Sequence, residues 1–454
     1  MFSLIFTALL AQTPTPPPEI FVQPGEVRSL PGELDSIPVF NSNSPEVVLE
    51  PGILLSTFPP EGKAHPNAHL NFGFKGRFDI FAHHIAKATD PADLSTLYLG
   101  ILVHNPGNNP VTLDILQAAS YLSQPDAPFI PLPPQLANPD GTIYAGPGSR
   151  VMSDILRGRS SHSLPDTLTI PPGESRLILN LPIPVATLEP PINGRSTLMK
   201  LESSETVYVA SLARFAPQDE RGNERPPTLA EWETLLTQST LAGPRDRAPT
   251  PPDSNSDTFL YGRVAGVAQG SAWRAVLRDI DSHRHLTIPD PGESLSYPLS
   301  SLDRGTLGTN QIQSAPMLVR YPDTAYKAHG NYGIRYSIVA PLYNPKPTPQ
   351  TVTLRLQTPI KQNEIEAGLS FFDPLPPQNF FRGTVRLVYT NDAGEPTTDY
   401  FHLVQRRGQI AEPLLELTLQ PQENRRVQFD FLYPPDASPP QVFTITTQDE
   451  LTQK

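Results

Sequence analysis

The tripeptide Pro-Gly-Glu occurs four times in this chain, at residues 24–26, 31–33, 172–174 and 291–293. Proline presets φ for the first corner of a β-turn and glycine supplies the positive φ of the second, so each copy reads as strand, tight turn, strand. Two copies sit in near-identical phrases, Leu168–Ser175 and Leu286–Ser294. Beyond the turn, Leu177, Leu179 and Leu181 share one face, as do Leu295, Tyr297 and Leu299, the period-2 pattern of a half-buried strand. A weaker copy, Leu417–Glu423, leads into the alternation Val427, Phe429, Phe431, Tyr433.

Proline bars helix interiors and central sheet ladders, and 56 prolines in 454 residues is twice the usual share of about 5%. Short strands joined by turns satisfy both facts. Strand patterns recur from Glu46 to Phe215 and again from Leu260 to Tyr433, and Asn391–Gly394 reads as a hairpin loop. Two Asn-Pro turns, Asn105-Pro106 and Asn344-Pro345, each precede a Val-Thr-Leu strand, at Val111 and Val352. Residues 124–149 read as a long ordered loop. One helix is expected over residues 228–240, where Thr228 and Glu231 form a capping box ahead of Trp232, Leu235 and Leu236. The expectation is an all-β chain of two β-sandwich-like domains, residues 20–227 and 258–454, joined through a short helix and linker at 228–257, with long proline-rich loops.

A net charge of −12 argues against nucleic acid, whose phosphates call for clustered Lys and Arg. The absence of cysteine excludes disulfides, thiolate metal sites and a cysteine nucleophile. Residues 1–19 read as a signal peptide, Met1–Ala11, followed by a proline-rich spacer. That apolar run is too short to cross a bilayer, which takes about 20 residues, and no later segment has transmembrane length. A periplasmic or cell-surface location is expected.

The densest polar cluster is His65, His69, Asp79, His83 and His84, residue types suited to a transition metal. A proline interrupts the 65–69 spacing, however, and a strand would send His83 and His84 to opposite faces, so structural histidines are expected and no metal is assigned. Asp253–Asp257 opens like a calcium loop but lacks its glycine at position six and glutamate at position twelve. Gly146-Pro147-Gly148 with Arg150, Arg157 and Arg159 could hold an anion, yet no phosphate-loop pattern accompanies it. Phe371, Phe372, Phe380, Phe381 and the stretch Tyr321–Tyr336 could stack on sugar rings or fill the core, and core is favoured. No catalytic residue or cofactor is assigned.

The stretches Ile37–Pro45, Gly76–His84, Tyr261–Val267, His329–Gly333 and Tyr433–Asp436 resemble those of a cyanobacterial exported domain family of unknown function. The likeness covers nearly the whole chain after the leader and implies an exported protein without supplying an activity or a ligand. Together these features point to an exported cell-envelope protein, a non-catalytic binding or structural module for a surface glycan or protein. The alternative is a secreted polysaccharide hydrolase whose carboxylates converge only in the fold.

Overall fold

The computed structural model describes residues 17–161, 166–256, 258–281 and 284–449. The leader read at Met1–Ala11 lies outside them, as do His162–Pro165 and Asp257. The fold is all-β and sandwich-like, with two α-helices among the described residues.

One core lies between sheets carried by the first half of the chain, where Phe78, Ile80, Leu99, Ile101 and Val103 are buried together. The strand Ile192–Phe215 serves both walls of it. Its first half pairs with Phe74–Lys87 and Val111–Leu122, and its second with Gly52–Ser56 and Leu97–His104, the register breaking between Ser203 and Val207. A second core collects Tyr336, Ile338, Leu354, Phe429, Phe431 and Phe443 between two further sheets.

The Pro-Gly-Glu turns carry the chain from one sheet of a pair to the other. Thr167–Ile170 pairs with Val111–Asp114, and after the turn Ser175–Ile183 pairs with Leu97–His104. The weak third copy does the same, because Leu415–Leu419 pairs with Gln350–Leu354 and Asn424–Leu432 then pairs with Arg335–Tyr343. The same four-strand unit is therefore built twice. Gly173 and Gly292 take φ of 70° and 83° at their turns, a region that favours glycine.

Helix α2, Leu229–Gln238, is the helix the capping box predicts. The Glu231 amide donates to Thr228 Oγ1 at 3.3 Å and the Thr228 amide to Glu231 Oε2 at 2.8 Å. Its Trp232 is fully buried and lies so close to Gly100 that a methyl group there would meet the indole at 2.7 Å. Helix α1, Pro147–Leu156, corrects the end of the loop expected at 124–149, which is otherwise irregular but for the short strand Gln135–Ala137, and the expectation of a single helix. Proline suits the first turn of a helix, and Val151, Met152, Ile155 and Leu156 form an apolar stripe. That stripe packs against Phe81, Ala119 and Leu198 of one sheet and Leu432 of another.

Strands from both sides of residues 228–257 share sheets. Pro38–Ser42 runs parallel to Phe74–Lys87 and antiparallel to Ala265–Gln269. Glu19–Pro24 pairs with Gly368–Asp373, and Gln135–Ala137 with the strand Pro396–Arg406. Residues 41–43 are thereby set beside residues 261–265, and a cleft opens where they meet.

Candidate binding cleft

The cleft measures about 430 Å³. Asn41 and Asn43 enter it from the end of Pro38–Ser42, Tyr261–Val264 from the approach to Ala265–Gln269, and His329–Tyr332 from a turn in which Asn331 takes φ of 50°. Three of the stretches that carry the family resemblance, 37–45, 261–267 and 329–333, meet here. A fourth, 433–436, leads directly into Ala437–Pro439 on the rim.

Rings and cations wall the cleft. The Tyr261 ring lies 4.7 Å from that of His329, and Lys361 donates to the Tyr261 hydroxyl at 3.0 Å. Burial pushes that phenol well above its ordinary range. Tyr332 donates to Ala437 O at 3.1 Å, and burial pushes it up to about 12. Arg407 sits 5.9 Å from the Phe380 ring centroid. Arg263 pairs with Glu46, and His83 Nε2 lies 3.8 Å from the same carboxylate.

The floor is polar and neutral. Asn41 Oδ1, Asn43 Oδ1 and His329 Nδ1 are buried without a hydrogen-bond partner among the described residues. The nearest acid to His329, Asp303, stands 3.9 Å away, beyond hydrogen-bond reach, and burial holds His329 down to about 4. No aspartate or glutamate is among the cleft's lining residues. The arrangement can stack against a ring and exchange hydrogen bonds with hydroxyl groups.

The histidine cluster of the sequence does not converge. His65 is exposed, and His69 bonds Ser56 Oγ at 2.8 Å. Asp79 is buried between Lys200 at 2.9 Å and Arg77 at 3.3 Å. His83 Nδ1 bonds Ser196 Oγ at 2.8 Å, whereas His84 donates through Nδ1 to Pro45 O at 2.8 Å and accepts from Ser42 through Nε2 at 2.9 Å. Burial holds His69 and His84 at about 4 and His83 at about 3. Among the described residues no group of three or more such side chains could hold a metal ion. At 253–256 the Arg304 guanidinium donates to the carbonyls of Ser254 and Ser256, at 3.2 and 2.6 Å, which is incompatible with a cation there.

The aromatic candidates divide. Tyr321, Tyr336, Phe371 and Phe381 are fully buried, but Phe380 and Tyr332 are half-buried in the cleft wall. The cleft draws residues from eight separate stretches of the chain, and no local motif announces it. Its traces in the sequence were the family-like stretches and two of the aromatic candidates, Tyr332 and Phe380.

No curated protein matches this chain. Among solved structures, the coconut allergen cocosin aligns at 10% identity over 89% of this chain and 86% of that one, with a TM-score of 0.11. Pumpkin seed globulin gives the same identity and coverage at 0.10, and procruciferin from Brassica napus 10% identity over 84% of each chain at 0.09. Scores this low say nothing about fold or function. A family model does match, over residues 25–447, and the chain belongs to the family described as Protein of unknown function (DUF3370).

Proposed function

We propose that this chain is an exported, non-catalytic binding module of the cell envelope, and that its ligand is a glycan seated in the cleft walled by Tyr261, Tyr332 and Phe380. The observation that carries the reading is the pairing of aromatic faces with a neutral floor of unpartnered buried acceptors. A sugar offers apolar faces to rings and hydroxyl donors to acceptors, and leaving a buried acceptor unpaired costs about 1–3 kcal/mol. Export rests on the apolar Met1–Ala11 stretch. No helix among the described residues is long and apolar enough to cross a membrane. The hydrolase alternative requires two carboxylates in a cleft, and the lining of this one supplies neither.

Two experiments test it. Fractionation of cells expressing the tagged full-length chain should recover it with the envelope, and recovery with the cytoplasm contradicts the export reading. A glycan microarray probed with the mature protein should yield a defined set of saccharides, and a blank array contradicts the ligand class.

A further inference from the structure

A second cleft, of about 760 Å³, opens beside α1, where Val111–Leu122 and Ile192–Phe215 run together. Arg195 lies at its base, only 4% exposed. Its Nε and Nη2 donate to Pro182 O at 3.2 and 2.8 Å and its Nη1 to Ser120 Oγ at 3.1 Å. One N–H remains on each terminal nitrogen, a pair spaced for an oxyanion. Among the described residues no carboxylate lies within ion-pair distance of this guanidinium, Asp126 acting on it only from farther off, and a buried charge without a close partner is costly.

Arg150 stands over the same cleft. Its guanidinium lies 3.9 Å from the Tyr121 ring centroid and 4.8 Å from that of Tyr144, and it donates to Asp126 O at 2.6 Å. Stacking between two rings fixes its plane. Arg159 is exposed at the mouth. Two acids share the lining and already accept one bond each, Asp126 from the Leu122 amide and Asp154 from the Tyr121 hydroxyl, both at 2.8 Å. Guanidinium and carboxylate in one cleft suit a ligand with a single negative charge and several hydroxyls better than a bare dianion.

We propose that this cleft binds an acidic sugar, its carboxylate held by Arg195 and Arg150 and reached by Arg159 from the mouth, and its ring hydroxyls donating to Asp126 and Asp154. The site is independent of the first cleft.

Isothermal titration of the full chain with glucuronate, glucose and inorganic sulfate tests it. Glucuronate should bind measurably, with glucose and sulfate giving no saturable heat. Arg195→Met and Arg159→Gln should each weaken glucuronate by about tenfold or more, roughly the loss of one charge-assisted contact. Arg159 is exposed, so its variant stays decisive if Arg195→Met fails to fold. Phe380→Ala in the first cleft should leave glucuronate affinity unchanged, which separates this site from the one proposed above. Absent glucuronate binding, sulfate binding as tightly, unchanged affinity in Arg159→Gln, or loss in Phe380→Ala would each overturn the proposal.

Discussion

Asn105 and Asn344 hold the same position in the two four-strand units. Each is fully buried. Asn105 Nδ2 donates to Asn109 O at 2.7 Å and Ile170 O at 2.9 Å, and Asn344 Nδ2 to Thr348 O and Leu419 O, both at 2.9 Å. Their backbone amides donate across the turn to Glu174 O and Glu423 O, both at 3.0 Å. Each side chain thus ties an Asn-Pro turn to the sheet-crossing turn beside it. Asn105→Asp and Asn344→Asp keep the size but remove the donors, leaving buried carbonyls unpaired at about 1–3 kcal/mol each. Urea denaturation should show each variant less stable by about 2–4 kcal/mol, and unchanged midpoints would show that the repeated amide is dispensable.

Helix α1 is wedged between sheets at a point that tolerates no side chain. A methyl group at Gly148 would lie 2.2 Å from Pro435 Cγ. Gly148→Val should therefore push the helix off its seat and cost about 1–3 kcal/mol by overpacking, read as a lower thermal midpoint.

Stability should fall in mild acid. Burial holds His83 near 3 and His69, His84, His329 and His402 near 4, against an ordinary 6.5. The unfolded chain takes up protons on these rings as pH drops through 6.5 while the folded chain does not, so their contribution drains between about 6.5 and 4. Asp436 acts in the opposite sense, since burial raises it to about 7, with Arg382 opposing. Its penalty is complete above pH 7 and shed as pH falls toward 4. Asp436→Asn should therefore gain most over the parent protein at pH 8, and the gap should close by pH 4. Urea midpoints across that range decide it, and a gap independent of pH would show that Asp436 titrates normally.

The α2 cap offers a smaller, local test. Arg225 and the Thr228 amide hold the Glu231 carboxyl down to about 2. Thr228→Ala removes the hydroxyl that accepts from the Glu231 amide, a loss of about 1 kcal/mol, which urea denaturation followed by Trp232 fluorescence would register.

Where the sequence signal is local, the structure follows it. Leu97–His104 and Thr167–Ile170 are strands within the stretch where strand patterns recur, and the Asn391–Gly394 loop joins Asn379–Thr390 to Pro396–Arg406. Helix α1 was hidden because Gly146-Pro147-Gly148 looks like turn chemistry, and its apolar stripe is buried on two sides only through tertiary packing. The register break in Ile192–Phe215 and the joining role of Pro38–Ser42 depend on pairings across more than a hundred residues, which no local pattern encodes. The first cleft is of this long-range kind, whereas Arg150 and Arg159 of the second stood out locally as an anion candidate beside Gly146-Pro147-Gly148. Arg195 carries no signal in the sequence, and only its burial distinguishes it.

A paired glycan microarray on the full chain and its Phe380→Ala, Lys361→Ala double variant tests the glycan reading most directly. Both residues are at least partly exposed in the first cleft wall, so the fold should survive. The parent protein should bind a defined set of saccharides, and the variant should lose them while keeping its thermal midpoint. Identical binding by both proteins, or none by either, would contradict it.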